Sequence, residues 1–174
     1  MTAVPVAITS KCSTTKCTNP TAGYIGVGGV IKFQSFTYRG LGKLWSHNAS
    51  TGVFTLNSNC IYVFEAECLL RTSVTETGNA QYAIVDNATG NEVADGYRSV
   101  LKFYGEGNYY DNPGNFNTTG DELAMAVVDG STISSVRLEI VASEQTSAFS
   151  LDPNPSVTGY YKTGTRMIIT EYQP

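Results

Sequence analysis

Charge is scarce in this chain. Charged residues make up 15% of its 174 residues, against about 25% in an average domain. The eleven Lys and Arg are scattered and the formal net charge is −4. Nucleic-acid affinity comes from clustered basic side chains, so no nucleic-acid partner is expected. An anionic membrane surface is disfavoured for the same reason. No run approaches the ~18 apolar residues of a spanning helix, so no membrane insertion is expected. There is one histidine, His47, and none of the four cysteines falls in a Cys-x-x-Cys spacing. A structural zinc site has no ligand set here, and no cofactor is expected. The N-terminus, Met1-Thr2-Ala3-Val4-Pro5, has neither a basic n-region nor an apolar h-region. The expectation is therefore no secretory signal and synthesis in a host cytoplasm.

Catalytic motifs are also missing. No Gly-x-Ser-x-Gly elbow occurs. The Gly-rich stretch Gly23-Tyr24-Ile25-Gly26-Val27-Gly28-Gly29 matches neither a P-loop nor a dinucleotide fingerprint, and reads as a hinge. His47 has the character of a surface or structural residue rather than a triad base. Asp121-Glu122 or Glu65 with Glu67 would serve a glycosidase only if set across one cleft, which spacing does not show. The reading is no enzyme. Asn48, Asn87 and Asn117 each begin an Asn-x-Ser/Thr sequon, and chance explains these in so Asn/Ser/Thr-rich a chain.

What the chain does have is 41% hydrophobic and 11% aromatic residues, enough for a real core at this length. Short alternating runs are separated by Gly, Asn, Pro and Ser, which is an all-β signature. Strands are expected at Val30–Tyr38, Lys43–Ser46, Val53–Leu56, Cys60–Arg71, Gln81–Val85, Glu92–Gly96, Tyr97–Tyr104, Glu122–Val128, Val136–Val141 and Thr165–Tyr172. A jelly-roll β-sandwich uses about eight strands in two sheets and fits this pattern. Residues 1–28 read as an extended N-terminal arm, and residues 29–174 as the jelly-roll domain.

Cys60–Arg71 is the clearest strand. Cys60, Tyr62, Phe64, Ala66, Cys68 and Leu70 lie on one face and should point to the core. Ile61, Val63, Glu65, Glu67 and Leu69 lie on the other. Cys60 and Cys68 are too far apart along a strand to pair. Cys12 and Cys17 would close a small loop in an oxidising environment and remain free thiols in a cytosol, the latter being expected at synthesis. Tyr104, Tyr109, Tyr110 and Phe116 stand in a Gly/Asn-rich loop whose composition suits a partner-binding surface or a cover over one end of the sandwich.

Three segments together resemble the tumour-necrosis-factor-like superfamily, especially its complement globular-head branch. Gly52-Val53-Phe54-Thr55, then Cys60-Ile61-Tyr62-Val63-Phe64, resembles the family's Gly-x-Phe-Thr segment and the Gly-[Ile/Val/Leu]-Tyr-x-Phe strand, with Cys60 in place of Gly. Ala83–Val93 resembles its hairpin, and Gly120-Asp121-Glu122-Leu123 its Gly-Asp-x-[Val/Leu] strand opening. The closing strand lacks the family's Phe-x-Gly-Phe. The resemblance implies a homotrimer with Ile61, Val63, Glu65, Glu67, Leu69, Arg166, Ile168 and Tyr172 at the subunit interface. Glu65 and Glu67 would then need Arg166 or an axial cation, or lie at a solvated rim.

Such jelly rolls occur among trimeric bacteriophage structural proteins. The expected function is accordingly a non-enzymatic virion protein, a trimeric capsid decoration (cement) protein that binds the major capsid protein or another virion protein through its N-terminal arm. The alternative is a receptor- or glycan-binding head of a tail fibre or tail needle, docking on a host surface glycan through Tyr104–Phe116. A secreted lectin-like ligand is a weaker reading, because no export signal is visible.

Overall fold

A computed structural model describes residues 10–21, 23–40, 42–68, 70–71, 78–103, 123–144, 149–151 and 165–173, and every structural statement below concerns these. The strands, in chain order, are β1 (Ser10–Pro20), β2 (Gly23–Ile25), β3 (Phe33–Gly40), β4 (Trp45–Asn48), β5 (Val53–Leu56), β6 (Ile61–Glu67) and β7 (Leu70–Arg71). They continue with β8 (Gly78–Asp86), β9 (Gly96–Tyr97), β10 (Ser99–Phe103), β11 (Ala124–Asp129), β12 (Ser135–Ser143), β13 (Phe149–Leu151) and β14 (Arg166–Gln173).

The molecule is an all-β sandwich of two antiparallel sheets that do not close on each other. The six-stranded sheet runs β3-β1-β14-β6-β11-β9 and the five-stranded sheet β10-β8-β12-β5-β4. A small third sheet runs β2-β13-β7. The alternation seen in sequence sets which side chains meet. In β6, Tyr62, Phe64 and Ala66 are buried between the sheets, while Ile61, Val63, Glu65 and Glu67 point outward and are half-buried. Cys60 and Cys68 flank the strand, both buried and neither in a disulfide. Leu138 and Ile140 of β12, Tyr82 and Ile84 of β8, Phe54 of β5 and Met167 and Ile169 of β14 belong to the same core.

One carboxylate lies within the sandwich. Glu171 is fully buried on β14. The Ser13 hydroxyl and the Leu44 N–H each donate to it at 3.1 Å. Tyr62 extends the network by donating to the Leu44 carbonyl at 2.7 Å and accepting from the Asn57 N–H at 2.9 Å. Burial pushes the Glu171 carboxyl above the usual carboxylate range, against the opposing effect of these donors and of Lys43. This network ties the β3–β4 connection to the six-stranded sheet.

Several sequence expectations change here. Ser10–Pro20, read as part of an extended arm, is indeed extended but is hydrogen-bonded on both sides, to β14 and to β3. Its inward residues Ser13, Thr15 and Cys17 are buried. Cys17 is a free thiol, pushed up to about 12 by burial. Cys12 and Cys17 lie on one continuous strand, so their backbones stand about 16 Å apart and no disulfide joins them. The expected strand Tyr97–Tyr104 is divided. Gly96–Tyr97 pairs with β11 in one sheet and Ser99–Phe103 with β8 in the other. Arg98 sits at the crossing, where it donates to Glu92 at 2.7 Å and Gln81 at 2.8 Å. Glu92–Gly96 forms only one bridge, Val85 to Glu92, before β9 begins. The hairpin at Asp86 does form, with Gly90 in the left-handed region at φ 75° and the Asp86 carboxylate accepting from Ala88 N–H and Thr89 hydroxyl. Gly52 also needs its identity, with φ 77° and a hypothetical Cβ only 2.7 Å from Val30.

Candidate functional site

Antiparallel register places outward side chains in rows across the six-stranded sheet. One row reads Thr37, Lys16, Ile168, Glu65, Met125 and Tyr97. The next reads Arg39, Thr14, Thr170, Val63 and Val127. A third brings Tyr172 beside Ile61, with Asp129 beyond. Residues directly opposite share a face, so the expected interface set Ile61, Val63, Glu65, Glu67, Arg166, Ile168 and Tyr172 does lie together on one surface. Leu69 lies outside the described residues.

Register also adds residues that sequence reasoning had not assigned to this face. Tyr97 is 76% exposed, Val127 46%, Leu123 40% and Met125 36%. They stand on or beside β11 and β9, at one margin of the sheet. Among the described residues, large exposed hydrophobics are otherwise confined to Val27, Phe36 and Val100. The apolar strip continues inward through Ile61, Val63, Ile168 and Tyr172. Contiguous apolar surface of this kind marks a contact site more often than isolated exposed residues do. The signal was present in sequence as the alternation of Leu123, Met125 and Val127. Their spacing puts the three on one face of a strand, and only the pairing of β11 with β6 shows that the face is the outer one.

Charge is arranged unevenly on this surface. Arg166 pairs with Glu67 at 2.9 Å, each side chain about one-third exposed. A pair so accessible contributes about 1 kcal/mol or less. Lys16 and Arg39 lie on the β1–β3 flank, Glu65 in the apolar middle and Asp129 toward β11.

His47 is placed elsewhere. Its ring lies 4.9 Å from Phe36 and 4.5 Å from Phe54, centroid to centroid. Trp45 also packs on both phenyl rings, and Lys43 sits 4.3 Å over the Trp45 ring. These rings span the gap between β3 and β4, the margins of the two sheets on this side. Burial and the Lys43 charge hold the His47 imidazole below its usual range. The second charge cluster lies on the five-stranded sheet, where Arg137 pairs with Glu139 and donates to the Asn87 side chain at 3.0 Å.

Among the described residues no group of three or more His, Cys, Asp or Glu gathers as a metal site, and no helix is long and apolar enough to cross a membrane. Tyr104, Tyr109, Tyr110 and Phe116, like Asp121, Glu122 and Asn117, fall outside the described residues. No family model matches the chain, and no curated protein matches it in sequence.

Proposed function

We propose that this chain is a non-enzymatic structural protein of a virion, a homotrimeric jelly roll that decorates and cements a phage capsid. The observation that carries self-association is the apolar strip of Tyr97, Leu123, Met125 and Val127, continuous with Ile61, Val63, Ile168 and Tyr172 on one sheet face. Strand order supports the jelly-roll reading. The strands β1-β14-β6-β11 of one sheet and β5-β12-β8-β10 of the other are interleaved along the chain. The chain crosses between sheets from β5 to β6, β6 to β8, β10 to β11, β11 to β12 and β12 to β14, as two nested Greek keys require. The virion setting rests on the resemblance of Gly52–Phe64 to the tumour-necrosis-factor-like superfamily, whose jelly rolls also occur among trimeric phage structural proteins.

The test is absolute mass in solution, by light scattering, for the chain and its Val127→Glu variant. The chain of 18.7 kDa should run at about three times that mass, and the variant as a monomer. The trimer should then bind phage heads stripped of their decoration. A chain that is monomeric at all concentrations sinks the trimer. A trimer that ignores heads but binds host cells favours the receptor-binding alternative.

A further inference from the structure

We infer that Glu65 is the docking point for Lys16 of a second copy of this chain, so that each copy offers a basic flank to its neighbour's apolar strip. This inference rests on the self-association proposed above and names the contact that would fix its register.

Glu65 stands in the middle of an outward-facing row of the six-stranded sheet. Its direct cross-strand neighbours on the outer face are Ile168 and Met125. It makes no hydrogen bond or ion pair among the described residues. The nearest cation on the face, Arg166, is already held by Glu67. Glu65 is half-buried within its own copy, and a partner laid over Met125 and Val127 would remove the remaining water. A carboxylate dehydrated without a cation opposes association strongly. Any occupant of the strip must therefore bring a positive charge to this point.

A second copy carries that charge in a suitable place. Lys16 and Arg39 are exposed on the β1–β3 flank and have no partner among the described residues. Lys16 belongs to the same row as Glu65 but stands two strands away, about 9.6 Å between backbones. Ile168 fills the position between them. The two charges are thus held apart within one copy and displayed on different parts of one face. Such a face complements itself when a second copy sets its basic flank over the first copy's strip. It also selects register, because like charges opposite one another are penalised.

Charge exchange tests this. Lys16→Glu, Glu65→Lys, Glu65→Gln and the double Lys16→Glu/Glu65→Lys variant would be compared by light scattering over a concentration series, with a chelator arm. Melting curves would verify that each variant is folded, as expected for outward-facing sites. Each charge-reversed single variant should self-associate on the order of tenfold more weakly or worse. The double variant should regain association, and mixing the two reversed singles should regain part of it, since Lys16 of one meets Glu65 of the other. Three outcomes overturn the pairing while leaving self-association intact: a Lys16→Glu variant that assembles normally, a double variant no better than its parents, or a Glu65→Gln variant that assembles more tightly. Dissociation of the unaltered chain by chelator would assign Glu65 to a metal and overturn it too. An unaltered chain that never associates overturns the proposed function itself, which the mass of that chain alone decides.

Discussion

At position 47 an imidazole lies between two phenyl rings, with its Nε2 buried and without a hydrogen-bond partner. Protonation would place a cation there, beside Lys43. Both burial and Lys43 lower the His47 pKa. The unfolded chain, with an ordinary histidine near pH 6.5, therefore binds this proton more readily than the folded one. The contribution of His47 to stability is full above that range, falls as pH drops below about 6.5, and levels off once the folded-state pKa is passed. Glu171 works in the opposite sense: its raised pKa means that the folded state takes up a proton before the unfolded chain does as the solution is acidified, so the cost of burying its ionised form, present at higher pH, is relieved toward low pH. Cys17, also influenced by Lys43, stays protonated throughout this range. Comparing melting temperature against pH for the chain and for His47→Gln isolates the histidine. The gap between them should narrow or reverse from pH 7.5 to 5. A gap constant with pH would refute this account of His47. In sequence His47 reads as a surface or structural residue, and its aromatic neighbours, which come from β3 and β5, were not readable from position 47 alone.

At the scale of elements, patterns with strong contrast were legible. β6, β11 and β12 up to Ile140 alternate buried and outward residues, because apolar side chains every second residue mark a half-buried strand. β1 was not legible as a core strand. Its sequence Ser-Lys-Cys-Ser-Thr-Thr-Lys-Cys-Thr-Asn-Pro buries Ser13, Thr15 and Cys17, small polar residues that carry little hydrophobic contrast. Its strand character comes from pairing with β14 and β3 on either side, a tertiary effect that local pattern misses. The split at Arg98 was hidden similarly, since either half reads as β and only the switch of partner separates them. The place of β1 changes what a truncation can test. Removing residues 2–9 should leave the cooperative melt and the solution mass in place, and capsid attachment should fall if that segment anchors the protein. Removing residues 2–20 takes out an inner strand, and should abolish the cooperative transition altogether. Native-like melting of the longer deletion would contradict the pairing of β1 with β14.

For the whole molecule, the open sandwich and the apolar face have one thermodynamic consequence. The face that the family resemblance implies as an interface carries half-buried Ile61, Val63 and Ile168, and beside them stand the more exposed Met125 and Val127. A monomer holds these residues against water, whereas an assembly removes them from it. Self-association stabilises the folded chain by mass action only, because the unfolded chain does not assemble. If the trimer forms, melting temperature must rise with protein concentration. At about 0.6 kcal/mol per RT and a few degrees per kcal/mol for a chain of this size, a hundredfold dilution should lower the melting temperature by several degrees. Val127→Glu should melt at one temperature at every concentration, since it keeps the sandwich and loses the contact. High salt should lower the unaltered chain's melting temperature at concentrations where it is assembled, because it screens the Lys16–Glu65 contact between copies, and should have no such effect at dilutions where the chain is already monomeric. A melting temperature independent of concentration for the unaltered chain would mean that the strip faces another partner, and the stripped-head experiment would then decide whether the capsid covers it directly.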